Sequence, residues 1–403
     1  MSGSDWVVPA HVRPEQVFDY DYLGDRRITE NVHESFATLH GEAPDIFWSP
    51  RNGGFWTVTR HDLMTAILRD TDHFSNRELD IPPSYSPNVM IPLNLDPPDH
   101  LPYRIVLMRH LDSKSVAAME PRIRRWAVEL IEAVAKDGRC DFLAAIGEKF
   151  PVFVFMEMMG LPLDRFAEFR TLVVEYYAVG ASDIPRRVEI QNRMMAIMRA
   201  LFEERRLAPR DDMMSALVTA EVRGRPLTME ELESYGLLLF QAGLDTVANT
   251  LSFTFHFLAQ HPDLQQRLAS DPACYPDFVE EALRRFSIVQ QTRLVKKDYD
   301  FQGVAFRKGD MLACPLALGG MDERVNADPL TFDIDRKDRQ HVAFSTGPHI
   351  CVGNILARTE MRVLAEEWFR RIPAFRLTPG SHAHWHTGGV FAISGFEIEW
   401  DRS

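Results

Sequence analysis

Phe344-Ser345-Thr346-Gly347-Pro348-His349-Ile350-Cys351-Val352-Gly353 is the most informative stretch of this chain. Gly347 allows a tight bend before the cysteine, and an apolar helical pattern follows it, which predicts a helix to about Arg371. Cys351 is therefore expected at or near a helix N-terminus, where the dipole and unpaired N–H groups favour a thiolate. No second cysteine lies nearby, so this thiolate is poorly suited to zinc, which needs four ligands.

A lone cysteine is most often a small buried hydrophobic residue, and this alternative remains for Cys351 taken alone. Its surroundings favour a metal ligand, because one protein sulfur is enough for a haem iron. Gly353 lets a helix approach a flat group, Phe344 can shield the sulfur, and His349 can donate to a propionate. The pattern resembles the haem-binding loop of the cytochrome P-450 superfamily. The resemblance implies that Phe344, Gly347, His349, Cys351 and Gly353 bind haem b, with Cys351 as the axial ligand of iron.

Composition and charge exclude several classes of protein. The 403 residues are 45% hydrophobic and 26% charged, which is typical of a globular protein. We see no linker or repeat, so residues 1–403 are expected to form a single domain. The formal net charge of −13 argues against nucleic-acid binding, which needs a basic face.

Targeting signals and cysteine usage favour a cytoplasmic protein. Met1–Ala10 has neither the basic nor the apolar region of a signal peptide. The most apolar helical stretch, Leu237–Leu258, contains polar side chains that a membrane span rarely tolerates. The four cysteines are far apart, which fits a reducing compartment better than a disulfide framework.

Hydrophobic periodicity predicts a mainly α-helical chain with a smaller β region. The β-rich parts are expected near residues 50–60, 292–315 and 375–400. Residues 115–260 are dominated by helical periodicity, with breaks predicted near Gly138, Gly160, Gly180–Pro185, Pro209 and Gly224–Pro226. Asp96-Pro97-Pro98-Asp99-His100 predicts a helix start with Asp96 as the N-cap.

Leu237–Leu258 repeats apolar residues at a helical period, which predicts one long buried helix. It contains Gly243 and Asp245, which are unfavourable inside a helix, and such conflicts tend to mark functional sites. Thr246 can donate to the carbonyl of Ala242 and so open a groove. Asp245 beside Thr246 can relay protons; the alternative is a capped or salt-bridged aspartate next to a packing threonine. The pair resembles the oxygen-activating acid–alcohol pair of the same superfamily, which implies a catalytic role for both residues.

Further motifs occur in superfamily order and extend the resemblance over most of the chain. It implies a P-450 fold with haem between a long central helix and the cysteine-loop helix. It also implies that His100, Arg104 and Arg293 hold haem propionates. The alternative for His100 and Arg104, four residues apart, is a solvated pair on an exposed helix.

Glu281 and Arg284 are three residues apart and share one helix face. Such pairs are commonly exposed and contribute little to stability. The resemblance implies instead a buried pair that stabilises the fold behind the haem, with Arg336 as its third member.

Gly243–Val247, Asp322–Arg324 and Arg371–Pro373 look like the bacterial camphor monooxygenase group. The likeness implies a haem-thiolate monooxygenase that hydroxylates a small apolar cyclic substrate with dioxygen. Asn88 stands where camphor hydroxylase carries a ketone-binding tyrosine, so another terpenoid or norisoprenoid ketone is expected. The expected pocket residues, named by register, are Asn88, Leu93, Leu244, Val247 and Val289.

The resemblance also implies a 2Fe–2S ferredoxin with its reductase as the source of two electrons. Arg104, Arg109 and Arg358 are expected to form part of a basic patch for this acidic partner. One alternative is a peroxide-driven peroxygenase, which would not need the Asp245–Thr246 pair. A second is a non-catalytic haem-binding sensor or carrier, which would form no hydroxylated product.

Overall fold

The computed structural model describes residues 6–28, 31–179 and 183–402. Part of the predicted break at Gly180–Pro185 and the first half of Met1–Ala10 lie outside the described residues. The helices in the described ranges are α1 Val32–Ala37, α2 Leu39–Glu42, α3 His61–Arg69, α4 His100–Met108, α5 Ser113–Ala135, α6 Lys149–Met159, α7 Phe166–Val179, α8 Ile184–Leu207, α9 Met213–Val218, α10 Met229–Gly243, α11 Thr246–Leu258, α12 Pro262–Ser270, α13 Tyr275–Arg285, α14 Leu316–Gly320 and α15 Asn354–Arg371.

The strands are β1 Ile46–Ser49, β2 Phe55–Val58, β3 Phe74–Ser75, β4 Arg139–Asp141, β5 Glu221–Val222, β6 Arg225–Pro226, β7 Gln290–Val295, β8 Tyr299–Phe301, β9 Val304–Phe306, β10 Met311–Pro315, β11 Arg376–Leu377, β12 His384–His386, β13 Ala392–Ser394 and β14 Glu397–Glu399. The main sheet has the order β1-β2-β10-β7-β3, in which only β2 and β10 are parallel. A second sheet has the order β11-β14-β4. The expected mainly α-helical fold with a smaller β region is therefore confirmed.

Helix α15 follows the cysteine loop and anchors it to the core. It ends at Arg371, as the sequence predicts, and packs along α5. Arg124 of α5 forms ion pairs of 2.7 Å with Glu366 and 2.5 Å with Glu367 of α15. Trp368 of α15 packs edge-on against Phe255 of α11, with ring centres 5.2 Å apart. The loop that ends at Cys351 is thus joined to a rigid helix pair.

The prediction of one continuous helix over Leu237–Leu258 is wrong, because α10 ends at Gly243 and α11 begins at Thr246. Asp245 leaves the helical conformation with φ −135°. At Gly243 a Cβ atom would lie 2.4 Å from the ring of Phe155, so glycine is needed for this packing. The Thr246 hydroxyl donates to the carbonyl of Ala242 at 3.1 Å, as expected, and spans the break.

The N-cap prediction at Asp96 is also wrong, because α4 begins at His100 with Asp99 as its N-cap. The Asp96 carboxylate instead accepts the backbone N–H of Asn76 at 3.1 Å and lies 3.5 Å from the Lys296 ammonium. A tertiary contact has therefore replaced the local capping bond.

The three residues Glu281, Arg284 and Arg336 come together in the interior. Arg284 donates to both carboxylate oxygens of Glu281, at 2.9 and 2.7 Å, and neither side chain is exposed. Arg336 Nε lies 3.4 Å from Glu281 Oε1. The remaining Arg284 donors reach the carbonyl oxygens of Gly320, Pro329 and Thr331 at 2.7 to 3.0 Å.

Candidate active site

The cysteine loop is fixed by a left-handed glycine and one backbone hydrogen bond. Gly347 has φ +72°, and a Cβ there would lie 3.0 Å from the Arg69 side chain on α3. The Cys351 N–H donates to the Phe344 carbonyl at 2.8 Å. Gly347 therefore shapes the loop against α3 and does not line the cavity into which the sulfur faces.

Cys351 opens on a cavity of about 350 Å³ between the interrupted helix α10–α11 and the start of α15. The wall is largely apolar, with polar groups gathered where α4 and the cysteine loop meet. Lining residues include Pro92, Leu93, His100, Arg104, Leu107, Phe155, Leu238, Leu239, Ala242, Gly243, Thr246, Val247, Thr250, Ile288, Val289, Gln291, Phe344, His349, Cys351, Gly353, Leu356, Ala357 and Glu360. A concave apolar site with few polar groups is typical of a cofactor or small-molecule site.

The protein alone does not give Cys351 a low pKa. Burial raises the pKa of its thiol, while the N–H of Gly353, Arg104 and Arg358 act in the opposite direction. Burial outweighs the helix-terminus effect expected from the sequence, since α15 begins only at Asn354. A bound metal ion removes this barrier, because a coordinating thiol is deprotonated.

Two buried donors without partners lie near the α4 side of the site: His349 lines the cavity, and Arg293 lies outside the lining but close enough for its charge to act on His349. Arg293 is 2% exposed; its Nη1 donates to the Thr292 carbonyl at 2.8 Å, but Nη2 has no partner among the described residues. His349 Nε2 is likewise buried without a partner in the described chain. The ring of His100 lies 4.2 Å from that of His349, centre to centre. The structure thus brings three predicted cofactor ligands to one place.

This donor set fits a group with a carboxylate edge. Burial lowers the pKa of Arg293 to about 10, so the guanidinium is still charged at pH 7. Burial lowers the pKa of His349 to about 3 and that of His100 to about 4, so both rings are neutral there. An unpaired buried cation is costly, and a carboxylate beside Arg293 Nη2 and His349 Nε2 would satisfy both. Haem, with its iron at Cys351 and its propionates at this edge, fits these residues.

The three arginines of the expected basic patch have different environments. Arg104 lines the cavity and donates to the carbonyl of Ile350. Arg358 pairs with Glu280 at 2.5 Å and lies 4.6 Å above the ring of Phe344. Arg109 is exposed, and its guanidinium has no partner among the described residues. Of the three, only Arg109 presents an unpaired charge to solvent.

At the break between α10 and α11, the alcohol faces the cavity and the acid lies behind it. Asp245 accepts hydrogen bonds from Arg170 at 3.1 Å and from Asn249 at 2.8 Å. Arg170 also pairs with Glu148 at 2.6 Å. Burial raises the pKa of Asp245, although Arg170 acts to lower it. Thr246 lines the cavity, so a proton on the Asp245 carboxyl is held by the residue next to the cavity wall.

The expected substrate residues divide into two groups. Leu93, Val247 and Val289 line the cavity, whereas Asn88 and Leu244 do not. Asn88 donates to the side chains of Gln191 at 3.2 Å and Asn192 at 3.0 Å, both on α8. Leu244 is fully buried at the helix break. The register that placed these two side chains in the pocket does not hold.

Three residues at the site were not found from the sequence. Glu360 lines the cavity and is 2% exposed, and its carboxyl group has no hydrogen-bond partner in the described chain. Burial raises its pKa well above the usual value. Its signal was available, because it lies between Leu356 and Leu364 on the apolar face of α15. Asn76, bonded to His349, and Arg170, bonded to Asp245, carry no comparable signal.

A helical fold with one cysteine sulfur facing an apolar cavity, and donors for carboxylates at its edge, defines a haem-thiolate protein. A family model described as Cytochrome P450 matches residues 176–271 and 275–380. The chain belongs to the cytochrome P450 family. It is accordingly a monooxygenase that binds haem b and incorporates one oxygen atom from dioxygen.

Similar proteins cover nearly the whole chain. "Probable cytochrome P450 127A1" of Sinorhizobium fredii is 35% identical, covering 98% of this chain and 97% of that protein. Linalool 8-monooxygenase of Pseudomonas putida is 30% identical over 86% of this chain and 90% of its own. The crystal structure of CYP101J2 has a TM-score of 0.90 and 36% identity, covering 98% of this chain and 99% of that one. The crystal structure of CYP101C1 has a TM-score of 0.90 and 30% identity, and the match covers 98% of this chain and 100% of that one.

None of the helices in the described ranges has an apolar stretch long enough to cross a bilayer.

Proposed function

We propose that this cytochrome P450 hydroxylates a small apolar cyclic substrate, a terpenoid or norisoprenoid, with electrons from a 2Fe–2S ferredoxin. The observation that carries the proposal is the apolar wall beside Thr246, formed by side chains such as Leu93, Val247 and Val289. Such a wall binds a compact hydrocarbon by excluding water and offers few hydrogen bonds. The relative named linalool 8-monooxygenase supports the terpenoid class.

A ketone group is not favoured by this arrangement. The side-chain amide of Asn88 donates to Gln191 and Asn192, and Asn88 lies outside the cavity lining. It therefore offers no donor to a carbonyl oxygen in the pocket. The proposed substrate is defined by its apolar ring system, whether or not it carries a ketone.

The residues that hold the cofactor act on iron and on its carboxylates separately. Cys351 would hold the haem iron through its sulfur, and the haem so held would supply the oxygen-activating chemistry. With their unpartnered donors, the charged Arg293 would neutralise a propionate and the neutral His349 would orient one. His100 and Arg104 complete the same edge of the cavity.

Asp245 and Thr246 move protons towards the oxygen site. The Asp245 carboxyl can hold a proton because burial raises its pKa, and Arg170 keeps it oriented. The Thr246 hydroxyl is bonded to the Ala242 carbonyl at the break, so it is fixed at the cavity wall. A peroxide-driven enzyme would not need this pair, which supports dioxygen as the oxidant.

An acidic electron donor fits the unpaired charge of Arg109, which is exposed at the C-terminal end of α4. All four cysteines are free, which supports a reducing cytoplasm. Turnover by purified ferredoxin and reductase that exceeds turnover by hydrogen peroxide would support this route. Equal turnover with peroxide alone would favour a peroxygenase, and haem binding without any product would favour a sensor or carrier.

We predict that Cys351→Ser abolishes the thiolate absorption band of the reduced carbon monoxide complex, because the sulfur ligand is absent. The measurement is a difference spectrum at equal haem loading. Cys314→Ser, which changes a buried free cysteine outside the cavity lining, is the control and should keep the band. An unchanged spectrum for the Cys351 variant would refute the ligand assignment.

We predict that Thr246→Ala still consumes electrons but releases more peroxide and less product, because protons are delivered less selectively. A screen of small terpenoids for the low- to high-spin shift would first identify a substrate. Peroxide and product are then measured per electron consumed. Thr250→Ala, one turn further along α11, is the control; full coupling in Thr246→Ala would contradict the relay.

A further inference from the structure

Asn76 lies at the junction of three parts of the site. It follows β3, whose register pairs Phe74 with Val295 and Ser75 with Leu294, so the next pair would place it opposite Arg293. Its side chain is 1% exposed. Its backbone N–H donates to the Asp96 carboxylate at 3.1 Å. Asn76 therefore has a fixed position between the sheet and the segment before α4.

The side-chain amide of Asn76 links two groups that line the cavity. Its nitrogen lies 3.0 Å from the carbonyl oxygen of Leu93 and 3.2 Å from Nδ1 of His349. A carbonyl oxygen only accepts, so the atom facing Leu93 must be the NH₂ group. The same NH₂ then donates to His349 Nδ1, which must be unprotonated.

The tautomer of His349 follows from this contact. A neutral imidazole with an accepting Nδ1 carries its proton on Nε2. Nε2 is the buried atom that has no partner in the described chain. The hydrogen bond from Asn76 thus decides that His349 offers a donor, and not an acceptor, to whatever lies at that edge of the cavity.

We propose that Asn76 is a positioning residue that fixes the tautomer and orientation of His349, so that Nε2–H donates to a haem propionate. The inference rests on the proposed role of His349 in holding that propionate. Through the carbonyl of Leu93, the same amide ties this donor to the segment that lines the substrate cavity. A hydrogen bond from this neutral donor stabilises the negative charge of the propionate and therefore favours the reduced, more negative haem.

The test is a double-mutant cycle on the haem-loaded protein, with the haem reduction potential as readout. His349→Ala, Asn76→Ala and the double variant are titrated against the unmodified protein. Each single variant is expected to lower the reduced-to-oxidised ratio at a fixed applied potential by roughly threefold to tenfold, the range of one charge-assisted hydrogen bond. The double variant should have the same haem reduction potential as His349→Ala, because Asn76 acts only through His349.

Asn76→Ser is the milder variant if Asn76→Ala folds poorly, since its hydroxyl can remain near the Leu93 carbonyl but is too short to reach His349 as well. Asn94→Ala is the matched control, because Asn94 bonds to the Asn76 backbone carbonyl at 3.2 Å and does not touch His349. It should leave the potential unchanged.

The outcomes separate the two proposals. If His349→Ala leaves the potential unchanged, the propionate role of His349 fails. If His349→Ala shifts the potential but the Asn76 variants do not, or shift it equally in both backgrounds, only the role of Asn76 is overturned. A shift by Asn76 variants that disappears without His349 supports the inference.

Discussion

Two buried arginines, Arg284 and Arg293, have nearly equal burial and opposite surroundings. Arg284 meets a carboxylate and three carbonyl oxygens, and its donors are satisfied inside the protein. Arg293 has one internal acceptor, the Thr292 carbonyl, and an Nη2 without a partner among the described residues. Residue type and burial alone would not distinguish them. Their partners differ: the donors of Arg284 are all used inside the protein, whereas Arg293 keeps one donor without a partner among the described residues.

The difference has an energetic consequence. A buried ion pair with all donors satisfied resists disruption, because removing one partner leaves the other charge uncompensated. A buried charge without a full set of partners costs free energy until a ligand supplies them. The set around Glu281 should therefore control unfolding of the chain, and the edge around Arg293 should control retention of haem.

The largest effect is expected for Glu281→Gln, which leaves Arg284 buried beside a neutral amide. We predict a loss of about 3–5 kcal/mol in the free energy of unfolding. The measurement is urea unfolding of the haem-loaded protein followed by far-ultraviolet circular dichroism. Glu280→Gln, on the same helix but paired nearer the surface with Arg358 and His341, is the control and should cost less. Equal losses would mean that burial of the Glu281 set adds nothing.

A smaller effect on stability and a larger one on haem retention are expected for Arg293→Leu. We predict haem release to an acceptor protein that is faster by roughly tenfold to a hundredfold, because a charge-assisted hydrogen bond is lost. The unfolding midpoint should change little, since leucine also removes a buried cation.

Arg285→Leu is the matched control for this variant. Arg285 is equally buried but has internal partners, the carboxylate of Glu34 and the carbonyl of Leu330, both at 3.0 Å. It should lower the unfolding midpoint without accelerating haem release in the native state. Faster haem release from Arg285→Leu, together with a lower unfolding midpoint for Arg293→Leu, would contradict the distinction between paired and unpaired arginines.

Local patterns explain what could be predicted from the sequence. The extent of α15 and the Thr246–Ala242 contact depend on neighbouring residues, and both occur in the structure. The placement of Cys351 and His349 at one cavity, with Arg293 close to His349, followed from motif order and from a family resemblance. These features are specified by residue type and by spacing along the chain.

The sequence predictions that proved wrong concern side chains whose hydrogen-bond partners are far away in the chain. Asp96 does not cap α4, because its carboxylate accepts a hydrogen bond from the backbone N–H of Asn76. Asn88 is not in the pocket, because its side chain donates to Gln191 on α8. The bond between Asn76 and His349 joins positions 273 residues apart. No local pattern records such a partner. The helix break lies at Leu244–Asp245, directly after Gly243, where the ring of Phe155 from α6 leaves no room for a side chain.

Glu360 and Glu367 extend the comparison to carboxyl groups on one helix, and the smallest effects are expected here. Glu360 has no hydrogen-bond partner in the described chain, and burial raises its pKa well above the usual value. Burial also acts to raise the pKa of Glu367, but the hydrogen bonds from Arg124 and Arg371 outweigh it, so this pKa is lowered. The native state therefore holds a proton on Glu360 more tightly than the unfolded chain does, and on Glu367 less tightly.

The raised pKa of Glu360 and the lowered pKa of Glu367 predict different pH dependences for the free energy of unfolding. As pH rises above about 4.5, the unfolded chain releases the Glu360 proton first, so the native protein loses stability relative to Glu360→Gln. The advantage of Glu360→Gln should grow with a limiting slope of roughly 1.4 kcal/mol per pH unit until the native carboxyl ionises. Glu367→Gln should instead be destabilised by a constant amount over this range, because both states of Glu367 are already ionised. Urea unfolding of both variants at pH 5, 6, 7 and 8 measures this, and a Glu360→Gln difference independent of pH would mean that Glu360 finds a charged partner in the haem-loaded protein.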